Sequence, residues 1–260
     1  MILEVDVGNT RVKWRLIEGG AVIVRGFEEA AKLTSVDEVN KCLLINVVPS
    51  HLLAAVHIAT VVLSFRKLFT LWAAQYSLTP VFAKTLPSFN GVTNAYDDVS
   101  QMGVDRWLVI VAAYQKIKGA CFVIDVGSAV TIDIVKEGGE HLGGYIVPGL
   151  QLMRRSLFGE IDQVGTNAEK TPEVNMYSSS AIFPGRNTQV AVSEGLPLML
   201  LGMVHWLLLD FQAATGVDPS ILVTGGDGGF LVDLLREKNI VGIEYVPELV
   251  LDGLSLVINN

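Results

Sequence analysis

Two stretches of this chain begin Asp-Val-Gly and end Glu-Gly-Gly, and they align without a gap. Asp6–Gly20 (DVGNTRVKWRLIEGG) lies over Asp125–Gly139 (DVGSAVTIDIVKEGG) at a constant offset of 119 residues. A run of strand-forming residues precedes each block, Ile2–Val5 in the first and Cys121–Ile124 in the second. Apolar, β-branched runs separated by glycine turns predict strand, tight turn, strand, second turn and third strand in both copies. A repeat of this length makes a duplicated fold the primary expectation. The 260 residues suffice for two halves, each of roughly 120–140 residues with its own core. The division is predicted near Gly119, giving domains 1–118 and 119–260.

Beyond the first meander, a helix end is predicted from Asp37, then a strand over Cys42–Val48. Pro49–Phe65 reads as a helix or a helix–strand passage, Ser64–Gln75 as a helix and Thr79–Ala83 as a short strand. Met102–Lys118 has helical periodicity, with apolar residues at Leu108, Val109, Ala112 and Ala113. In the second half, helix Glu194–Ala214 precedes strand Ile221–Thr224, a glycine loop, helix Phe230–Lys238 and a strand near Ile243–Val246. Three antiparallel strands followed by alternating helix and strand, twice over, define an α/β fold with mixed sheets flanked by helices.

Half of the residues are hydrophobic and the net charge is −8. Such a surface repels nucleic acid and anionic lipid, and no Lys/Arg run offsets it, so neither is an expected partner. Cys42 and Cys121 lack CxxC or Cys/His neighbours and read as core thiols of a reducing compartment. The four histidines, His51, His57, His141 and His205, lack metal-ligand spacing and read as packed or exposed side chains. The chain opens directly into a strand with no basic leader, so a cytoplasmic location is expected. Asn46, Pro49, His51 and His57 interrupt Leu43–Phe65, and Leu196–Phe211 is shorter than the ~20 residues a bilayer requires. The latter reads as a buried core helix or a subunit-interface helix. The polar segment Gly159–Ser180 is expected to be a surface passage or flap and receives no catalytic residue.

The chemistry concentrates in the turns. In Asp6-Val7-Gly8-Asn9-Thr10-Arg11-Val12-Lys13, a glycine without Cβ lets main-chain amides approach a phosphate. The Thr10 hydroxyl can donate to phosphoryl oxygens, and Lys13 on the returning strand can neutralise a β- or γ-phosphate. Asp6 would repel phosphate, so its natural role is to hold Mg²⁺ or its water shell. One Asp-x-Gly turn is commonplace; two in equivalent settings predict a polyphosphate cleft between the halves. Asp105 and Arg106 adjoin at a helix start behind Gly103 and Val104. The carboxylate can accept the proton of an attacking hydroxyl and the guanidinium can grip a carboxylate substrate. The same residues equally allow a helix cap and a surface ion pair.

The order of these turns, with Val223-Thr224-Gly225-Gly226-Asp227-Gly228-Gly229 as a third loop expected near the adenosine, resembles the sugar-kinase, acetate-kinase, actin and heat-shock-ATPase superfamily of duplicated ribonuclease-H-like domains. Within it, the chain resembles the type III pantothenate kinases over essentially its full length. The resemblance rests on Asp6–Thr10, Asn94-Ala95-Tyr96, Gly103–Arg106, Asp125-Val126-Gly127-Ser128-Ala129, Gly143–Gly149 and Gly185-Arg186-Asn187-Thr188. It implies ATP-dependent phosphorylation of pantothenate, with Asp105 as general base and Arg106, Tyr96 and Thr188 in substrate recognition. It further implies Mg²⁺, a monovalent cation (K⁺ or NH₄⁺) at Asp125, and a homodimer in which Thr188 reaches the partner's substrate. From the residues alone, Tyr96 is equally an ordinary loop aromatic and Thr188 a helix N-cap. Ser128 stands where the family usually has Thr, which keeps the hydroxyl and loses the methyl.

Overall fold

A computed structural model describes residues 1–43, 52–161 and 184–258. The chain separates into two compact units. The first gathers Met1–Lys118, Gly138–Gly143 and Glu248–Asn260; the second gathers Gly119–Glu137 and Gly144–Pro247. The sequence reading gave all of 119–260 to the second half. The C-terminal helix joins the first because its apolar face, including Leu249, Leu251 and Leu254, finds its partners there.

In the first unit, β1 (Ile2–Val7), β2 (Arg11–Glu18), β3 (Ala21–Glu29), β4 (Ala55–Thr60) and β5 (Val81–Phe82) form one sheet in the order β3-β2-β1-β4-β5. β1, β2 and β3 are an antiparallel meander, while β4 runs parallel to β1 and β5 parallel to β4. Alternation along the strands gives this sheet two distinct faces. Leu3, Val5, Val7, Val12, Trp14 and Leu16 build one core with Val39 and Leu43 of α1 (Val36–Leu43) and Phe69 and Trp72 of α2 (Leu63–Ala74). The opposite face is polar where one would expect apolar residues. Glu4, Arg15 and His57 lie side by side in register across β1, β2 and β4, and all three are buried.

The last helix closes over that row. Arg15 donates through Nε to Glu4 (2.8 Å), through Nη1 to Asp252 (2.7 Å) and Glu248 (3.3 Å), and through Nη2 to the Leu251 carbonyl (2.8 Å). Ser255 donates to Glu4 in turn. Apart from Glu4, these partners belong to α7 (Leu249–Ile258) or the residue before it. Burial alone would lower the Arg15 pKa, but hydrogen bonds to Asp252 and Glu4 more than offset it and the net shift is upward. His57, 4.0 Å from Glu4, is pushed below the ordinary imidazole value by desolvation. α7 also packs along α3 (Val104–Ile117), and Gly253 meets the Leu108 carbonyl so closely that no Cβ would fit.

A separate antiparallel pair, β6 (Ser88–Phe89) and β7 (Val92–Thr93), completes the strands of the first unit. The second unit repeats the five-stranded sheet. β8 (Cys121–Val126), β9 (Ala129–Val135), β10 (His141–Pro148), β11 (Ser220–Thr224) and β12 (Ile243–Tyr245) take the order β10-β9-β8-β11-β12, with β8/β9 antiparallel and β11 parallel to both neighbours β8 and β12. Phe122, Ile124, Val130 and Ile132 form its core with Leu150 of α4 (Leu150–Ile161), Leu200, Val204 and Phe211 of α5 (Thr188–Thr215), and Leu231 and Leu235 of α6 (Gly228–Glu237). Burial pushes the Cys121 thiol up to about 12, as an inert core thiol requires.

Several local expectations change. Cys42 and Leu43 finish α1 instead of starting a strand, and the rest of that predicted strand lies outside the described residues. Within Pro49–Phe65 the described part is a strand then a helix, because Ala55–Thr60 must pair with β1. Most of the polar segment 159–180 is likewise outside the described residues. Helix α5 has 28 residues and includes Pro197, so by length and composition it could cross a membrane. Leu196–Phe211 is thus part of a longer helix than its own length implies, and Pro197, Leu200, Leu201, Val204 and Phe211 are buried in the unit.

Candidate active site

The two glycine turns are equivalent in position and different in length. Gly8 N–H donates to the Arg11 carbonyl (3.0 Å), whereas Gly127 N–H donates to that of Ala129 (3.0 Å). The first turn therefore carries Asn9 and Thr10 at its tip, and the second carries Ser128 alone. Through the following strand the ungapped alignment is one residue out: Asp6 pairs with Lys13 in β1–β2, and Asp125 pairs with Thr131, not Ile132, in β8–β9. The offset is restored at the next turn, where Glu18 and Ala21 close a two-residue Gly19-Gly20 hairpin but β9 and β10 are separated by a longer link.

Cross-strand partners share a face. Half-buried Asp6 and Lys13 thus form a carboxylate–ammonium pair of positions at the sheet's end, with exposed Asn9, Thr10 and Arg11 beyond it. Directly behind them on the same face stands the buried Glu4–Arg15–His57 row. Val7 and Val12 point the other way into the core. The Thr60 hydroxyl donates to the Val7 carbonyl (3.2 Å) and fixes the end of β1, a contact the sequence did not suggest.

Also in the first unit, Gly103 caps α3 and places Val104, Asp105 and Arg106 in its first turn. Val104 is buried and anchors the turn. The Asp105 carboxylate accepts from the Arg106 main-chain N–H (2.8 Å). A Cβ on residue 103 would sit 2.5 Å from Asp105 Oδ1, so glycine is what leaves room for this carboxylate. The guanidinium of Arg106, 6% exposed, donates to the Tyr96 hydroxyl (2.7 Å) and lies 5.5 Å from its ring centroid. Tyr96 is held by an Asx turn, its N–H donating to Asn94 Oδ1 (2.9 Å). Asp98 then caps the turn leading to α3, and hydrogen bonds from the Ser100 side chain and amide hold its carboxyl below the usual range. Tyr96, Asp105 and Arg106 thus form one constellation, which the sequence could only name as separate motifs.

In the second unit, a Cβ on Gly225 would collide with the Val126 carbonyl and the Asp125 carboxylate, and one on Gly149 with the Gly127 carbonyl. Glycines 149 and 225 therefore bring main chain tightly against the second turn. Thr188 is exposed at the first position of α5; the N-cap is Asn187, whose side chain accepts from Val190 N–H (2.9 Å).

The model of the type III pantothenate kinase family matches residues 2–209. The chain belongs to that family. A type III pantothenate kinase from Pseudomonas savastanoi pv. phaseolicola is 37% identical over 268 residues, covering 98% of both chains. One from Pseudomonas aeruginosa is 36% identical over 259 residues, again with 98% of each covered. Among solved structures, a protein of Campylobacter jejuni assigned to the Baf family of transcriptional activators matches with TM-score 0.58 and 21% identity, over 99% of this chain and 97% of that one. The activator of 2-hydroxyisocaproyl-CoA dehydratase from Clostridium difficile, solved with ADPNP, matches with TM-score 0.55 and 12% identity, over 99% and 93%. At such identities these two speak for the fold alone. The fold they share with this chain is α/β, with mixed sheets flanked by helices, and here the two sheets take the same strand order.

Pantothenate kinases of this type consume ATP, which brings a divalent metal. Among the described residues no cluster of three or more His, Cys, Asp or Glu could cage one. Mg²⁺ keeps several waters and takes one or two carboxylates plus substrate phosphates, and half-buried Asp6 would offer one such carboxylate. A monovalent cation fits the second turn on a separate ground. The Thr131 hydroxyl oxygen is buried without a hydrogen-bond partner, directly across from Asp125. A hydroxyl and a carboxylate on one face are hard-oxygen donors of the kind such an ion takes.

Proposed function

We propose that this chain transfers the γ-phosphoryl group of ATP to the hydroxyl of pantothenate in the cytoplasm, giving 4′-phosphopantothenate, the entry step of coenzyme A biosynthesis. The observation that carries the residue assignments is the Tyr96–Asp105–Arg106 constellation at the start of α3, in the same unit as the Asp6–Lys13 turn. Pantothenate has a carboxylate at one end and the reacting hydroxyl at the other. Arg106 and Tyr96 bind the anionic end, a guanidinium being suited to planar bidentate recognition. Asp105 accepts the hydroxyl proton as the oxygen attacks phosphorus. Gly8–Thr10 offer main-chain N–H and hydroxyl donors to the polyphosphate, and Lys13 offsets its charge. Ser128, in the second unit, offers a hydroxyl donor of the same kind. Asp6 would hold Mg²⁺, which would supply charge neutralisation on the phosphates, and Asp125 with Thr131 would hold the monovalent cation.

A homodimer completes this reading. Helix α5 exposes Met199 (50%), Trp206 (65%) and Leu209 (44%) in line with Gly195 and Gly202. The spacing of that stripe, four and three residues in alternation, is that of a helix–helix seam. A second copy packed on it leaves Thr188, at the helix start, available to a partner's acceptor site.

The test is saturation kinetics on Arg106→Lys. Losing the planar fork is expected to raise the KM for pantothenate roughly 10- to 100-fold, the loss of one charge-assisted hydrogen bond, while the KM for ATP stays within about twofold. An unchanged pantothenate KM removes Arg106 from the acceptor site.

A further inference from the structure

The loop that carries Tyr96 is not held by its own residues alone. It leans on Gly138–Gly143, the short stretch that joins the first unit away from its sequence neighbours. Thr93 N–H donates to the Gly139 carbonyl (3.0 Å), and Thr93 forms an isolated parallel bridge with Glu140. Gly139, at φ +84°, sits so close to the Gly91 carbonyl that any side chain would collide with it. One rung further along, a continuing parallel ladder would pair the Ala95 N–H with the main-chain carbonyl of His141. It meets the imidazole instead: Ala95 N–H donates to His141 Nδ1 at 3.4 Å. The side chain takes the place of the next rung, the ladder stops there, and the loop turns into the Asx turn that presents Tyr96.

His141 is 2% exposed, and no motif around it singles it out. Because Nδ1 accepts, the ring proton in this arrangement is on Nε2. The chain of contacts then runs from the His141 imidazole to the Ala95 amide, to the adjoining Tyr96, and from the Tyr96 hydroxyl to Arg106. We propose that His141 is a positioning residue for the acceptor site, setting the Tyr96–Arg106 pair by holding the Ala95 amide. The inference rests on the reading of that pair as the pantothenate-binding group. It adds a residue outside the acceptor motifs, at the start of β10 in the other repeat.

Two polar substitutions of similar bulk separate positioning from packing. Asn places its amide oxygen near Nδ1 and keeps the acceptor; Gln places its amide near Nε2 and loses it. For His141→Gln the KM for pantothenate is expected to rise roughly tenfold, the worth of one internal hydrogen bond, with the KM for ATP unchanged. His141→Asn is expected to stay within about twofold of the parent on both. A pantothenate KM that is normal in His141→Gln, or raised more in His141→Asn than in His141→Gln, overturns the inference, because packing alone favours the larger side chain. Loss shared equally between the two substrates also overturns it. Arg106→Lys run alongside keeps the two claims apart. If it shifts the pantothenate KM and His141→Gln does not, only His141 is misassigned; if neither does, the acceptor-site reading itself falls.

Discussion

Asp105→Asn is expected to lower kcat by roughly 10²- to 10⁴-fold, the usual contribution of a positioned general base, with the KM for ATP nearly unchanged. The substitution is close to isosteric. The amide oxygen can still accept from the Arg106 N–H, so the first turn of α3 keeps its 2.8 Å contact and the helix its start. What disappears is the acceptor for the proton of the attacking hydroxyl. Phosphoryl transfer depends on positioning and charge neutralisation more than on base strength, so some turnover should survive. Steady-state kinetics with saturating pantothenate measures the effect, and full activity would show that Asp105 serves only the helix turn.

The second large effect concerns stability. Arg15→Met should destabilise the chain by about 3–5 kcal/mol, the cost of leaving one partner of a buried ion pair without the other. Glu4 is 0% exposed in its side chain and Arg15 6%, so the Glu4 carboxylate would be stranded with Ser255 and a His57 that burial keeps neutral. The outer partners matter less. Asp252 is 43% exposed, and Asp252→Asn is expected to cost no more than ~1 kcal/mol, as solvent-screened pairs do. Replacing Glu4 and Arg15 together with apolar residues should recover much of the loss, since the stranded charge is then gone. Urea titrations of the three variants against the parent measure all of this. An Arg15→Met protein as stable as the parent would mean that the row under α7 does not hold the helix.

The duplication was legible because Asp-Val-Gly and Glu-Gly-Gly recur in register, and both sheets take the same strand order. The ungapped alignment hid a one-residue difference in turn length, because the second copy restores the count at its next turn; only hydrogen-bond register shows that Lys13 corresponds to Thr131. The strand Ala55–Thr60 was blurred by its continuous apolar run, which has no period to read. Helix α7 was missed, and with it the role of Arg15 and Glu4, because ion pairs spanning more than 230 residues leave no local trace. At the site, Asp6, Tyr96, Asp105 and Arg106 stood out by motif. His141 and Thr131 did not, since each acts through a neighbour that only folding supplies.

A coupled phosphorylation assay identifies the acceptor. Purified protein would be given MgATP and K⁺ with pantothenate, glucose, acetate or no acceptor. ADP release with pantothenate alone, and appearance of a phosphate monoester of pantothenate in the ³¹P spectrum, is the expected result. Turnover with glucose or acetate would move the chain to another kinase of the superfamily, and silence with every acceptor would contradict the catalytic reading altogether.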